Sequence, residues 1–151
     1  MTPPNAKNAL HQYGQVGKTT DVAYASPHRL IQMLMEGALE KIAVAKGAME
    51  RGDINQKGSF ISWAISIIEG LRVSLDPEAG GEIAANLESL YDYMERQLVL
   101  ANAQNDATLL DEVAVLMRQI KSGWDAIPAE VQAQHGQSAV ATPDAIVTAK
   151  S

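Results

Sequence analysis

Apolar residues recur at spacings of three and four, for three or more turns at a time, in four successive blocks between residues 26 and 127. No other feature of the chain limits its fold so strongly. The first block carries Ile31, Met35, Ala38, Ile42, Ala45 and Met49, and the second Ile61, Ile65, Ile68, Leu71 and Leu75. The third carries Ile83, Leu87, Leu90, Met94 and Leu98, and the fourth Leu110, Val113, Met117, Ile120, Trp124 and Ile127. A 3.6-residue period gathers each set onto one face of a helix. Helices of roughly 20 to 25 residues are about 30 to 37 Å long, and connections of two to six residues can join only antiparallel neighbours. The prediction is an all-α, antiparallel up-down-up-down four-helix bundle.

Helix punctuation falls between the blocks. Ser26 followed by Pro27 is an N-cap with proline at the first helical position, where a missing N–H costs nothing. The first helix is predicted to run to Arg51, where Gly52 stops it. Asp53 caps a second helix from Ile54 to Leu75. Asp76, Pro77, Gly80 and Gly81 read as a turn, and a third helix as running from Glu82 to Asn105. Asp106 or Thr108 caps the fourth, which ends near Ile127 before Pro128; Thr108 and Asp111 have capping-box spacing.

Composition supports the same class and divides the chain into three parts. Its 151 residues include 23 Ala and 13 Leu but only seven aromatics, too few β-branched and aromatic residues for a sandwich. Residues 1–25, with Pro3, Pro4, Gly14 and Gly17, sustain no stripe and read as a mobile arm. Residues 26–127 form the bundle. Residues 128–151, rich in Ala, Gln, Ser and Thr without period, read as a disordered tail.

Several chemistries are disfavoured. There is no Cys, so neither a disulfide framework nor a thiolate nucleophile exists. The formal charge of −6, with no run of Lys or Arg, argues against nucleic acid. Apolar runs of a few residues give no membrane span, and Met1–Leu10 lacks the pattern of a signal peptide, so a soluble intracellular protein is expected. A di-iron bundle needs Glu-x-x-His pairs, and none occurs. Asp53, Asn55, Lys57 and Gly58 imitate the start of a calcium loop, but a lysine occupies its fifth position and Ala64 its twelfth. His11, His28 and His135 fall in the arm, at a helix start and in the tail, and His28 reads as a solvated first-turn residue. Glu36 and Glu40, with Lys41 and Lys46 nearby, read as a solvated face. No catalytic residue, metal ligand or cofactor is predicted.

The apolar content exceeds what four seams require. Leu30, Met33, Leu34, Leu39, Phe60, Trp63, Ile67, Val73, Tyr91, Tyr93, Leu100, Leu109, Val115 and Leu116 widen the apolar sectors. Some broaden the core; others reaching the surface would line a groove for an amphipathic helix or extended segment. Six methionines give such a groove adaptable walls. Gly37, Gly47 and Gly70 lie within helices at a propensity cost, which suggests close backbone approach inside the bundle or to a partner. In the arm, Leu10 and Tyr13 are three residues apart, so they share one face of a short turn and could cover the groove when it is empty.

The run Ala25-Ser26-Pro27-His28-Arg29-Leu30-Ile31, then Met33-Leu34, Gly37-Ala38 and Gly52-Asp53, resembles the opening of the flagellar secretion chaperone family, FliS. Ser74-Leu75-Asp76, Gly80-Gly81-Glu82-Ile83-Ala84, Asn86-Leu87, Leu90-Tyr91-Asp92-Tyr93-Met94 and Arg96 resemble its most specific signature. Ala101-Asn102, Asp106, Glu112-Val113 and Trp124 continue it over residues 9 to 127. The resemblance implies a cytosolic, non-enzymatic export chaperone that holds the disordered C-terminal segment of flagellin and delivers it to the flagellar type III export gate. It admits an anti-sigma factor or other flagellar regulators as secondary partners. It also implies that Leu10 and Tyr13 influence groove access, and Ile68, Leu71, Leu87, Leu90, Tyr91 and Met94 are the expected groove residues where its signature concentrates. Met35 and Glu36 depart from the family's more usual aromatic and Asp. The alternatives are an adaptor for another secreted protein and, less favoured, a ligand- or metal-binding helical enzyme.

Overall fold

The Ser26 hydroxyl accepts a hydrogen bond from the Arg29 N–H at 3.1 Å, closing the first turn of a helix that opens on Pro27. In this computed structural model, which describes residues 25–128, four helices follow: α1 Pro27–Arg51, α2 Ile54–Val73, α3 Pro77–Gln104 and α4 Ala107–Asp125. Gly52, at φ 75°, ends α1 in the left-handed conformation that lacks a steric penalty only for glycine. The carboxylate of Asp53 then accepts the Gln56 N–H at 3.0 Å and starts α2.

The predicted turn before the third helix is corrected. Asp76 accepts from the N–H groups of Glu78 and Ala79, and Pro77 takes the first helical position, so α3 begins five residues earlier than Glu82. The Asp-Pro pair is the same cap-plus-proline signal as Ser26-Pro27. Gly81, at φ 52° and ψ −127°, breaks the helical path once, so the two glycines make a kink within α3 rather than a connection before it. The second helix ends at Val73 and the fourth at Asp125, each two residues short of expectation. Asp106, not Thr108, caps α4, accepting both the N–H and the hydroxyl of Thr108.

Each helix packs mainly against its sequence neighbours, and α4 closes the ring against α1. The interior contains every residue of the first predicted stripe, together with Ile61, Ile68, Leu71, Met94, Leu98, Leu110, Val113, Met117, Trp124 and Ile127. Gly37 and Gly70 are buried, as close helix contact requires. Lys57, from the apparent calcium motif, is buried at the opposite end of the molecule from Pro27. Its ammonium donates to the Asn102 carbonyl and the Asn105 side-chain oxygen, both at 3.1 Å, placing a cation at the negative end of α3.

Candidate functional site

The third stripe does not all face inward. On α3 the buried residues are Gly80, Ala84, Tyr91, Met94, Leu98 and Ala101, so the core face advances in steps of three, four or, from Ala84 to Tyr91, seven residues. Ile83, Leu87 and Leu90 therefore run down the flank and are only half-buried. On α4 the core takes Leu110, Val113, Ala114, Met117 and Trp124, leaving Leu116 and Ile120 on the flank that faces α3. The two flanks, with Asn86, Gln119 and Gly123, enclose an open groove of about 310 Å³. None of its eight lining residues is charged. A Cβ added at Gly123 would meet nothing within 4 Å, so that end of the groove is open.

Polar contacts hold both flanking helices. Beyond Leu90, the Tyr93 hydroxyl donates to Glu112 at 2.8 Å and the Gln97 amide donates to the same carboxylate at 3.0 Å, tying α3 to α4. Accepting that bond, Glu112 shifts the Tyr93 hydroxyl pKa upward. On the other side of α3, Arg72 of α2 meets Glu88 at 2.7 Å, Glu69 at 3.0 Å and Glu95 at 3.2 Å. Desolvation pushes Glu95 up to about 7, helped by a hydrogen bond with Glu69 and opposed by Arg72.

At the open end of the groove lies a contact that sequence reading missed. His28 is 5% exposed, and its ring stacks on that of Trp124 with centroids 4.8 Å apart and planes at 10°. The Trp124 indole N–H donates to the His28 carbonyl at 3.0 Å. The expectation of a solvated first-turn histidine is thereby overturned: α4 returns antiparallel to α1, so its final turn covers the first turn of α1. Burial lowers the His28 pKa and the field of Asp125 partly restores it. Glu36 and Glu40, by contrast, pair with basic neighbours, Glu36 with Arg29 at 3.1 Å and Glu40 with Lys41 at 3.0 Å.

The structure separates the residues named from the sequence into three groups. Leu87 and Leu90 line the groove. Ile68, Leu71, Tyr91 and Met94 are 0–3% exposed and sit behind it in the core, offering no surface to a partner in this conformation. Leu10 and Tyr13 lie outside the described residues, as do the predicted arm before Ala25 and the predicted tail after Pro128. The groove also uses Gly123 and Gln119, which the sequence reading passed over. An interior helical glycine one turn from Ile120 was the available signal. A second depression, between α2 and α3, has Ile65, Val99 and Leu100 against Asp92, Glu95 and Arg96. Among the described residues, no cluster of three or more His, Asp or Glu is placed to hold a metal ion, and no helix is long and apolar enough to cross a membrane.

Residues 9–131 match the family described as "Flagellar protein FliS". The chain is 56% identical over 122 residues to the flagellar secretion chaperone FliSB of Pseudomonas aeruginosa, covering 81% of this chain and 97% of that one. It is 43% identical over 131 residues to the flagellar secretion chaperone FliS of Salmonella typhimurium, covering 86% and 97% respectively. To FliS of Bacillus subtilis it is 35% identical over 118 residues, covering 78% and 87%.

Proposed function

The chain belongs to the FliS family of flagellar secretion chaperones, and from that premise we propose that it binds the disordered C-terminal segment of flagellin in the α3–α4 groove. In this reading the protein works in the cytosol as a non-enzymatic chaperone, keeps that segment from polymerising, and carries it to the flagellar type III export gate. Flagellar regulators such as an anti-sigma factor would be secondary partners. The observation that carries the reading is the groove itself: Ile83, Leu87, Leu90, Leu116 and Ile120 form an uncharged apolar trough on the surface of an otherwise well-filled bundle.

A terminal segment that buries apolar side chains in a filament is hazardous before export, and a trough that covers those side chains substitutes for the missing neighbours. Coupled folding and binding of this kind buries roughly 1,000–3,000 Å². At ~25 cal/mol per Å² the gross gain is large, but ordering the client removes most of it. Affinity is then moderate and release needs no nucleotide.

Full-length flagellin mixed with the purified protein is expected to co-elute on size exclusion, and flagellin lacking its C-terminal segment to elute alone. Undiminished complex with the truncated form rejects the proposed client site. Leu10 and Tyr13 act in this reading as a displaceable cover. Tyr13→Ala is accordingly expected to change flagellin affinity while leaving the thermal midpoint within about 2 °C, less than the shift a loss of 1 kcal/mol gives. A larger fall in the midpoint makes Tyr13 part of the fold.

A further inference from the structure

His28 is a buried polar side chain whose ring Nε2 has no hydrogen-bond partner among the described residues. It occupies the first turn of α1 and stacks on Trp124, the residue after Gly123 and one turn beyond Ile120, both of which line the groove. We propose that the His28–Trp124 stack is an acid-released latch that fixes the last turn of α4 and so keeps the open end of the client groove in shape; this rests on the reading of the α3–α4 groove as the client site.

Protonating the ring would place a cation and a second N–H donor where no acceptor stands among the described residues, and both are costly away from water. The Asp125 carboxylate of α4 acts on the ring and is already engaged by Gln32 and Lys121, each at 2.7 Å. Arg29, beside His28 on α1, pairs with Glu36 at 3.1 Å. The neutral ring therefore belongs to the latched state. Because the latched histidine holds its proton less tightly than a free one, the open state binds more protons as pH falls below about 6.5. The latch is whole above that pH and weakens below it.

Trp63 and Trp124 are the only tryptophans, so Trp63→Phe leaves Trp124 as a sole reporter in the full-length chain. Between pH 7.5 and 5, Trp124 emission is expected to change with a midpoint below 6.5. Amide exchange over residues 119–127, corrected for its intrinsic pH dependence, is expected to accelerate by up to about tenfold per pH unit within the window. His28→Phe, which retains a stacking ring that cannot titrate, is expected to abolish both responses, and His28→Gln serves if that variant does not fold. Glu95, which also titrates near neutrality, is unaltered in these variants and cancels in the comparison.

A pH-independent native protein overturns the latch, as does an identical transition in the histidine variants. With a synthetic peptide of flagellin's C-terminal segment, affinity is expected to fall on acidification in the native chain and not in His28→Phe. A native affinity indifferent to pH while the exchange rate rises overturns the link to the groove. No binding even at pH 7.5 rejects the client reading alone, the latch then being decided by emission and exchange.

Discussion

Replacing Ile68 with alanine is expected to lower the free energy of unfolding by about 2–5 kcal/mol in urea denaturation, the range for removing a large aliphatic side chain from a packed core. Ile68 is fully buried, within the cluster that includes Leu71, Met94 and Leu98. Nothing polar waits to fill the space, and neighbouring helices relax only partly. The measurement also decides between two roles for a residue the sequence pointed to as a binding contact. A core residue loses stability and retains its affinity for flagellin under conditions where the variant is folded. A binding residue does the reverse, so a variant with unchanged stability and weakened flagellin binding would contradict the buried placement.

Leu90→Asp is expected to give that opposite pattern. Leu90 is half-buried on the flank of α3 and lines the groove. A carboxylate there remains hydrated in the free protein and loses its water only when an apolar client covers it. Flagellin affinity measured by calorimetry is therefore expected to fall by about thirtyfold or more, the loss of at least 2 kcal/mol typical of a central interface contact. The thermal midpoint is expected to move by only a few degrees. Wild-type affinity in Leu90→Asp would remove the groove between α3 and α4 from the client site.

The contrast between Ile68 and Leu90 shows what was legible in the sequence. Periodicity placed every residue of the first stripe in the core, because α1 uses one face along its whole length. It also read the four helices of the described residues and their antiparallel order, since caps and short connections are local signals. On α3 a stripe of large residues concealed a rotation. Ala84 is small enough to attract no notice, yet it and Tyr91 face inward, turning Ile83, Leu87 and Leu90 onto the flank. Which of two adjacent apolar stripes is covered depends on how neighbouring helices sit, and spacing within one helix cannot report that. His28 was misread for the same reason. Its burial comes from Trp124, 96 positions away, and each residue in isolation gives an ordinary signal. Asp76-Pro77 differs in kind, because its cap signature was fully present but the Gly80-Gly81 pair beside it pointed to a turn.

The groove's lack of formal charge has a consequence for the guests it can hold. Dissolved ions screen attraction between charges but scarcely alter the tendency of greasy side chains to leave water at ordinary concentrations. If the groove is the client site, a grip built from Ile83, Leu87, Leu90, Leu116 and Ile120 is expected to be indifferent to changes in ionic strength. Such a grip would follow the spacing of apolar side chains, so client sequences that drift in charge while retaining that spacing are expected to bind the same trough.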